Sequence, residues 1–135
     1  MKPFIRISTA DTPNVTFDAE KGIFELSKMS LPEDAVEFYS PLLNWLDEYV
    51  KNPNPETVFN MKLEYYNTAS SKQLVQILLK FQEIKNKSNI LVKWYYRDID
   101  EDMLSQGEEY SQIINVPFEL IQVHQEKKDN SVENK

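Results

Sequence analysis

The sequence contains no cysteine and only one histidine among its 135 residues. Without cysteine there are no disulfides, no thiol nucleophile and no cysteine-ligated zinc site. A Ser-His-Asp triad or a histidine-ligated metal site would have to use His124, which begins a polar segment after the last apolar run. A hydroxyl nucleophile elsewhere would therefore lack a histidine base, which argues against a hydrolase.

The chain also lacks an excess of basic residues and long apolar runs. Its 22 acidic and 15 basic side chains give a net charge of -7, which disfavours nucleic acid and membrane partners because both require a Lys/Arg surface. No apolar run approaches the roughly 18 residues of a membrane span, and residues 1–6 do not resemble a signal peptide. We expect a cytoplasmic domain at 1–123, followed by a polar, disordered tail at 124–135.

Apolar alternation predicts a group of N-terminal strands. Residues 4–8 form the first strand, and residues 15–18 and 23–26 flank a hairpin turn in which Gly22 can adopt positive φ.

A helical apolar period follows at residues 35–50. Ser30 is predicted to cap this helix at its start. Pro41 interrupts the pattern, so it should kink the helix or begin a second helix capped by Ser40.

The second half of the chain alternates between strand and helix patterns. Residues 57–66 alternate as a strand, and the predicted inward side chains are Phe59, Met61, Leu63 and Tyr65. A helix is predicted at 71–86 and another at 98–114, with a closing strand at 116–121. The nearly continuous apolar run at 90–96 predicts a strand covered on both faces.

A strand, a helix and a second buried strand form a βαβ unit, whose crossover should be right-handed and whose strands should be parallel. We therefore expect an α/β fold with a mixed sheet, an N-terminal hairpin and helices packed on the sheet. The loop containing Thr68 and the loop at 98–102 should then lie side by side at one sheet edge, where such folds place their sites.

A cluster of hydroxyl-bearing residues lies at the predicted start of the second helix. Ser70 and Gln73 fit a capping box, although Asn67 or Thr68 could cap instead. If Ser70 caps, Thr68 falls two residues outside the helix on an accessible loop. A phosphate there would be favoured by the helix N-terminus and by Lys72, and it would add about -1.5 to -2 charges.

The acidic segment at 98–109 imitates a calcium loop. Asp98, Asp100, Asp102 and Glu109 match positions 1, 3, 5 and 12 of an EF-hand, but Met103 occupies position 6, where glycine is required. The same acids would also suit a helix start, where they complement the helix dipole. A further interpretation is an acidic lip that faces a partner, or a transient Mg²⁺ site.

Four segments in this order resemble the SiaC-type bacterial regulatory phosphoproteins, which are distantly similar to STAS-domain anti-sigma factor antagonists. The segments are Thr12-Pro13-Asn14-Val15-Thr16-Phe17-Asp18, Ser30 to Ala35 with Phe38-Tyr39-Ser40-Pro41 and Trp45-Leu46, Tyr66-Asn67-Thr68-Ala69-Ser70-Ser71-Lys72, and Asp100-Glu101-Asp102-Met103 with Gly107-Glu108-Glu109.

The resemblance implies a non-enzymatic domain phosphorylated at Thr68. In that family a serine/threonine kinase of the histidine-kinase-like ATPase type modifies the motif threonine, and a PPM-type phosphatase reverses the modification. The unphosphorylated form activates a diguanylate cyclase, which makes c-di-GMP and promotes biofilm formation. The sequence departs from the family pattern at two places. Ala69 stands where the motif has a serine, and residues 27–29 lack the glycine expected after the third strand.

Two functions follow as hypotheses. The first is a partner-binding protein, without a cofactor, that is switched by phosphorylation of Thr68. Its predicted partner-binding residues are Asn67, Ser70, Ser71, Lys72, Asp100, Glu101 and Asp102. The second is a small metal- or ligand-binding domain that uses the carboxylates of 98–109.

Overall fold

A hairpin is followed by regular alternation of helix and strand in this computed structural model, which describes residues 1–124. The elements in chain order are β1 (Phe4–Arg6), β2 (Asn14–Asp18), β3 (Ile23–Ser30), α1 (Ala35–Tyr49), β4 (Glu56–Tyr66), α2 (Thr68–Glu83), β5 (Asn89–Arg97), α3 (Glu101–Ile113) and β6 (Phe118–Val123). The predicted α/β class is confirmed. Apart from His124, the predicted tail lies outside the described residues.

The six strands form one mixed sheet in the order of the sequence. β1, β2 and β3 pair antiparallel, and β3 to β6 pair parallel through the three helices. The expected hairpin and βαβ unit are therefore present. Aromatic pairs join the helices to one face of the sheet: Phe17 with Trp45 of α1, Phe59 with Phe81 of α2, and Trp94 with Tyr110 of α3.

β5 is covered on one face only, so its predicted burial on both faces is wrong. Val92 and Trp94 are fully buried beneath the helices, whereas Leu91, Lys93 and Tyr95 are only half-buried. Neighbouring strands shield the apolar parts of these three side chains without a covering layer, and a long lysine can keep its ammonium in water. A continuous apolar run therefore does not require two buried faces.

α1 is a single helix that begins at Ala35. Asp34 is its N-cap and accepts a hydrogen bond from the N–H of Glu37 at 3.1 Å. The helix continues through Pro41, so the predicted second helix capped by Ser40 does not form. Ser30 is not a cap either, because it is the last residue of β3 and is completely buried.

A β-bulge near the end of β4 reverses the alternation of that strand. Lys28 of β3 pairs with Leu63, but the next residue, Met29, pairs with Tyr65, so Glu64 is the extra residue. Leu63 and Tyr66 are consequently both buried. Tyr65, predicted to point inward, is 55% exposed.

Candidate functional site

Thr68 is the first residue of α2, and a single residue, Asn67, separates it from the end of β4. The N-cap is Asn67, whose side-chain oxygen accepts a hydrogen bond from the N–H of Ser70 at 2.9 Å. The capping box built on Ser70 is therefore wrong, and the alternative cap at Asn67 is correct. Thr68 is exposed within the first turn and does not lie on a loop two residues before the helix.

Ser70 belongs to a buried network of hydroxyl groups. Its hydroxyl donates to the carbonyl of Ser30 at 3.0 Å, and the two hydroxyl oxygens are 2.8 Å apart. The Ser30 hydroxyl also lies 2.6 Å from that of Tyr39. Burial raises the pKa of Tyr39 to about 12, against a smaller lowering by the hydrogen bond with Ser30. Ser70 is completely buried, so its hydroxyl cannot contact a partner directly in this structure.

The remaining residues of the cluster lie at the surface. The Ser71 hydroxyl donates to the carbonyl of Thr68 at 2.7 Å, which leaves the threonine hydroxyl uninvolved in that contact. Lys72 is exposed and lies one helical turn after Thr68. The N–H groups of Thr68 and Ala69 are in the first turn, where the helix supplies no backbone acceptor.

Thr68 and α3 line a common cleft of about 260 Å³, here called the Thr68 cleft. Its α3 side chains are Gln106, Glu109 and Tyr110, and Tyr66 from the end of β4 donates a hydrogen bond to Gln106. The pKa of Tyr66 is raised, first by burial and then by Tyr110 and the carboxylate of Glu109. The cleft is therefore bounded by two tyrosine side chains, Tyr66 and Tyr110, and by the carboxylate of Glu109.

Thr68 thus shares a cleft with α3, whereas no residue of the predicted neighbouring loop at 98–102 lines that cleft. The α3 residues that line the cleft with Thr68 come from its middle. The sequence-based hypotheses did not include Gln106 and Tyr110, and they included Glu109 only as a carboxylate of the acidic segment. Gln106, Glu109 and Tyr110 are spaced i, i+3, i+4, which places them on one helix face. This spacing is the feature of the sequence that could have indicated that the three side chains act together.

The predicted acidic lip forms the start of α3, as the helix-dipole interpretation predicts. Asp100 is the N-cap and accepts from the N–H of Met103 at 3.0 Å, while Glu101 and Asp102 occupy the first turn. None of the three lines the Thr68 cleft. Asp98 lies 3.3 Å from the His124 ring.

These carboxylates do not converge as a calcium loop would. Within residues 1–124, no three histidine, aspartate or glutamate side chains form a group that could hold a metal ion. None of the helices in the same residues is long and apolar enough to cross a membrane.

Comparison with known proteins matches this architecture to one family. The family described as SiaC family regulatory phosphoprotein matches residues 7–123. An uncharacterized protein of Pseudomonas aeruginosa strain UCBPP-PA14 is 25% identical over 119 residues, which are 87% of this chain and 94% of that protein.

Solved structures show the same fold. SiaC of Pseudomonas aeruginosa superposes with a TM-score of 0.81 at 21% identity, covering 91% of this chain and 100% of that one. A crystal structure of the diguanylate cyclase SiaD in complex with its activator SiaC, from the same organism, also matches. It gives a TM-score of 0.81 at 21% identity and covers 89% of this chain and 99% of that one.

Proposed function

This chain belongs to the SiaC family of regulatory phosphoproteins, and we propose that it is a non-enzymatic signalling protein whose partner binding is switched by phosphorylation of Thr68. The observation that carries the proposal is the position of Thr68, which is exposed as the first residue of α2 and lines a cleft. A kinase could reach this hydroxyl without unfolding any element. Because we expect an ATP-dependent kinase and a phosphatase as regulators, we assign the protein to the cytoplasm.

The helix start favours a phosphate on Thr68. The N–H groups of Thr68 and Ala69 and the positive end of the helix dipole would stabilise the added oxygens. Lys72, at i+4, can approach the same group. Together these groups would stabilise a phosphate that carries about -1.5 to -2 charges.

The neighbouring α3 opposes the same charge. Glu109 lines the Thr68 cleft, and the whole chain already carries a net charge of -7. Phosphorylation would therefore make the cleft strongly negative while the buried contacts of Ser70 keep the helix start in place. A partner would therefore encounter a changed surface potential on an unchanged fold.

We propose a diguanylate cyclase as the partner and a serine/threonine kinase of the histidine-kinase-like ATPase type, with a PPM-type phosphatase, as the regulators. In Pseudomonas aeruginosa, SiaC is the activator of the diguanylate cyclase SiaD with which it forms a complex. The proposed contact surface contains Asn67, Ser71 and Lys72, together with the acidic lip at 100–102. Ser70 contributes by holding the helix start.

Mass spectrometry tests the modification. Protein isolated from its host should carry phosphate on the peptide that contains Thr68, and Thr68→Ala should lose it while keeping its melting temperature. Ser71→Ala is the matched control, since it removes the nearest surface hydroxyl of the same helix turn and should remain phosphorylated. Phosphate that persists in Thr68→Ala would refute the assignment.

Reconstitution with a diguanylate cyclase from the same host tests the partner. The unphosphorylated protein and Thr68→Ala should both bind the cyclase and raise c-di-GMP production, and the phosphorylated protein should do neither. Equal stimulation by both phospho-states would contradict the switch even if Thr68 is modified.

A further inference from the structure

A second concave site lies where β4, β5 and β6 end. It has a volume of about 500 Å³ and includes Lys62, Tyr95, Tyr96, Arg97 and His124 in its lining. It shares no lining residue with the Thr68 cleft. Open α/β sheets bind ligands in the crevice beyond the carboxyl ends of their parallel strands, and this volume lies within the range of small-molecule sites. We call it the strand-end pocket.

The strand-end pocket contains two basic side chains on an acidic protein. Lys62 and Arg97 both line it, although the chain carries a net charge of -7. Arg97 is half-buried, and in the described part of the chain no carboxylate forms an ion pair with it. A half-buried guanidinium without an anionic partner loses hydration that an anionic ligand could replace.

Most of the nearby carboxylates are already engaged. Glu25 lies 3.4 Å from the Lys62 ammonium and holds it near the pocket. Asp100 accepts the capping N–H of Met103. Glu64 and Asp100 both line the pocket, so two carboxylates there would oppose an anion. Because Lys62 and Arg97 share the pocket with these two carboxylates, net charge alone does not select an anion. A ligand would need a localised negative group placed at Arg97, together with additional contacts.

The aromatic lining supplies those contacts. The Tyr95 hydroxyl donates to the side-chain oxygen of Asn60 at 3.3 Å, and the Lys62 ammonium lies 5.1 Å from the centre of the Tyr95 ring. The ring is therefore held from two directions, and Tyr96 follows directly in the chain. Tyrosine rings and a guanidinium plane both stack against flat heterocycles.

We propose that the strand-end pocket binds a nucleotide, with the phosphate at Arg97 and Lys62 and the base against Tyr95. The pocket thus has separate places for the two parts of the ligand, an anion site and a stacking surface. This proposal does not depend on phosphorylation of Thr68, which belongs to a different cleft.

Isothermal titration calorimetry with the full chain tests the proposal, using AMP, GMP and inorganic phosphate as probes. At least one nucleotide should bind saturably, and inorganic phosphate should bind at least tenfold more weakly. Arg97→Ala should weaken nucleotide binding about tenfold or more, and Tyr95→Leu should weaken the nucleotide but not inorganic phosphate.

Arg6→Ala is the matched control. Arg6 lies on β1, at the opposite edge of the sheet, and its guanidinium also stacks on an aromatic ring, 4.2 Å from the centre of Phe4. This variant should bind nucleotide as the parent does. Arg97→Lys, which keeps the charge, gives a second test and should retain part of the affinity if Arg97→Ala proves unstable.

Three results would overturn the proposal. They are no saturable nucleotide binding at millimolar concentration, equal affinity for nucleotide and inorganic phosphate, and an equal loss of affinity in Arg6→Ala and Arg97→Ala. Thr68→Ala should bind nucleotide normally, so failure of this site and failure of the phosphorylation switch can be told apart.

Discussion

The hydroxyl of Ser70, in the first turn of α2, donates a hydrogen bond to the backbone carbonyl of Ser30, the last residue of β3, at 3.0 Å. The same carbonyl accepts the N–H of Asn67 at 3.2 Å. The start of α2 is therefore held by β3 as well as by β4, the strand that precedes it. This places Thr68 between an N-cap and a buried anchor.

Replacing Ser70 with alanine should destabilise the fold without removing the phosphorylation site. The substitution deletes both hydroxyl contacts of a fully buried residue, so we expect the free energy of unfolding to fall by about 1–2 kcal/mol. Ser71→Ala, at the surface of the same turn, should change it by less than about 0.5 kcal/mol. Urea denaturation of the two variants measures the difference, and equal losses would contradict the role of the network.

A negative charge at position 68 should be coupled to Glu109. Both residues line the Thr68 cleft, so Thr68→Glu should be less destabilising when combined with Glu109→Gln. We expect a coupling free energy of about 0.5 kcal/mol from a double-mutant cycle at low salt. The matched cycle with Glu108→Gln, at the adjacent exposed position outside the cleft, should give a coupling near zero. Equal coupling in both cycles would indicate only a general charge effect.

Gly107→Ala should destabilise the protein, although alanine normally favours a helix over glycine by up to about 1 kcal/mol. A Cβ atom at this buried position would lie 2.5 Å from Trp94 Cδ1 and 2.9 Å from Leu120 Cδ2. The resulting overpacking should lower the free energy of unfolding by about 1–3 kcal/mol. Ser105→Ala, at an exposed position of α3, is the control and should be neutral or slightly stabilising. Thermal melts monitored by tryptophan fluorescence distinguish the two variants.

Lys28→Gly should stabilise the fold. Lys28 has a φ of +76°, and a non-glycine residue in the left-handed region costs roughly 1–2 kcal/mol. Because glycine loses more backbone entropy on folding, we expect a net gain of about 0.5 kcal/mol. Lys28→Ala, which removes the charge but keeps the Cβ atom, should show no gain. A gain of the same size in both variants would mean that charge, not backbone strain, is responsible.

Alkaline pH should expose the contribution of Tyr39. Burial raises the pKa of Tyr39 to about 12, so the folded protein favours the neutral hydroxyl and the unfolded chain ionises it from about pH 10. The corresponding stability is fully present below about pH 10 and is lost as the pH rises towards 12. A difference of about two pKa units between the folded and unfolded states corresponds to roughly 2–3 kcal/mol in the free energy of unfolding.

Tyr39→Phe should therefore be about 1 kcal/mol less stable than the parent at neutral pH, because Ser30 loses a partner. Its stability should decline less steeply above about pH 10. Urea denaturation across the alkaline range measures both effects. Parallel curves for the parent and Tyr39→Phe would contradict the assignment.

Periodicity was sufficient to predict the hairpin and the central βαβ unit. The alternation at 57–66 and the helical spacing that follows identify the central βαβ unit, because side-chain direction in a strand or helix depends mainly on local geometry. The bulge was not predictable in this way. Glu64 has no local property that marks it as an extra residue, and its position follows from pairing with β3, where Lys28 adopts positive φ.

The candidate site was predictable only in part. Thr68 was identified from its motif, but Asn67 and Ser70 are both good caps, and sequence alone does not decide which one begins the helix. The burial of Ser70 depends on Ser30, 40 residues earlier in the chain. The contributions of Gln106, Glu109 and Tyr110 likewise depend on how α3 packs against the end of β4.

The bulge at Glu64 also affects how this strand should be compared with its relatives. It changes the inward tyrosine from position 65 to position 66, and Tyr66 then reaches Gln106 at the Thr68 cleft. A homologue with one residue fewer between Leu63 and Tyr66 would carry its equivalent tyrosine one place earlier. An alignment without a gap at this point would pair residues from opposite faces of the sheet, and it would move the threonine that corresponds to Thr68 out of register.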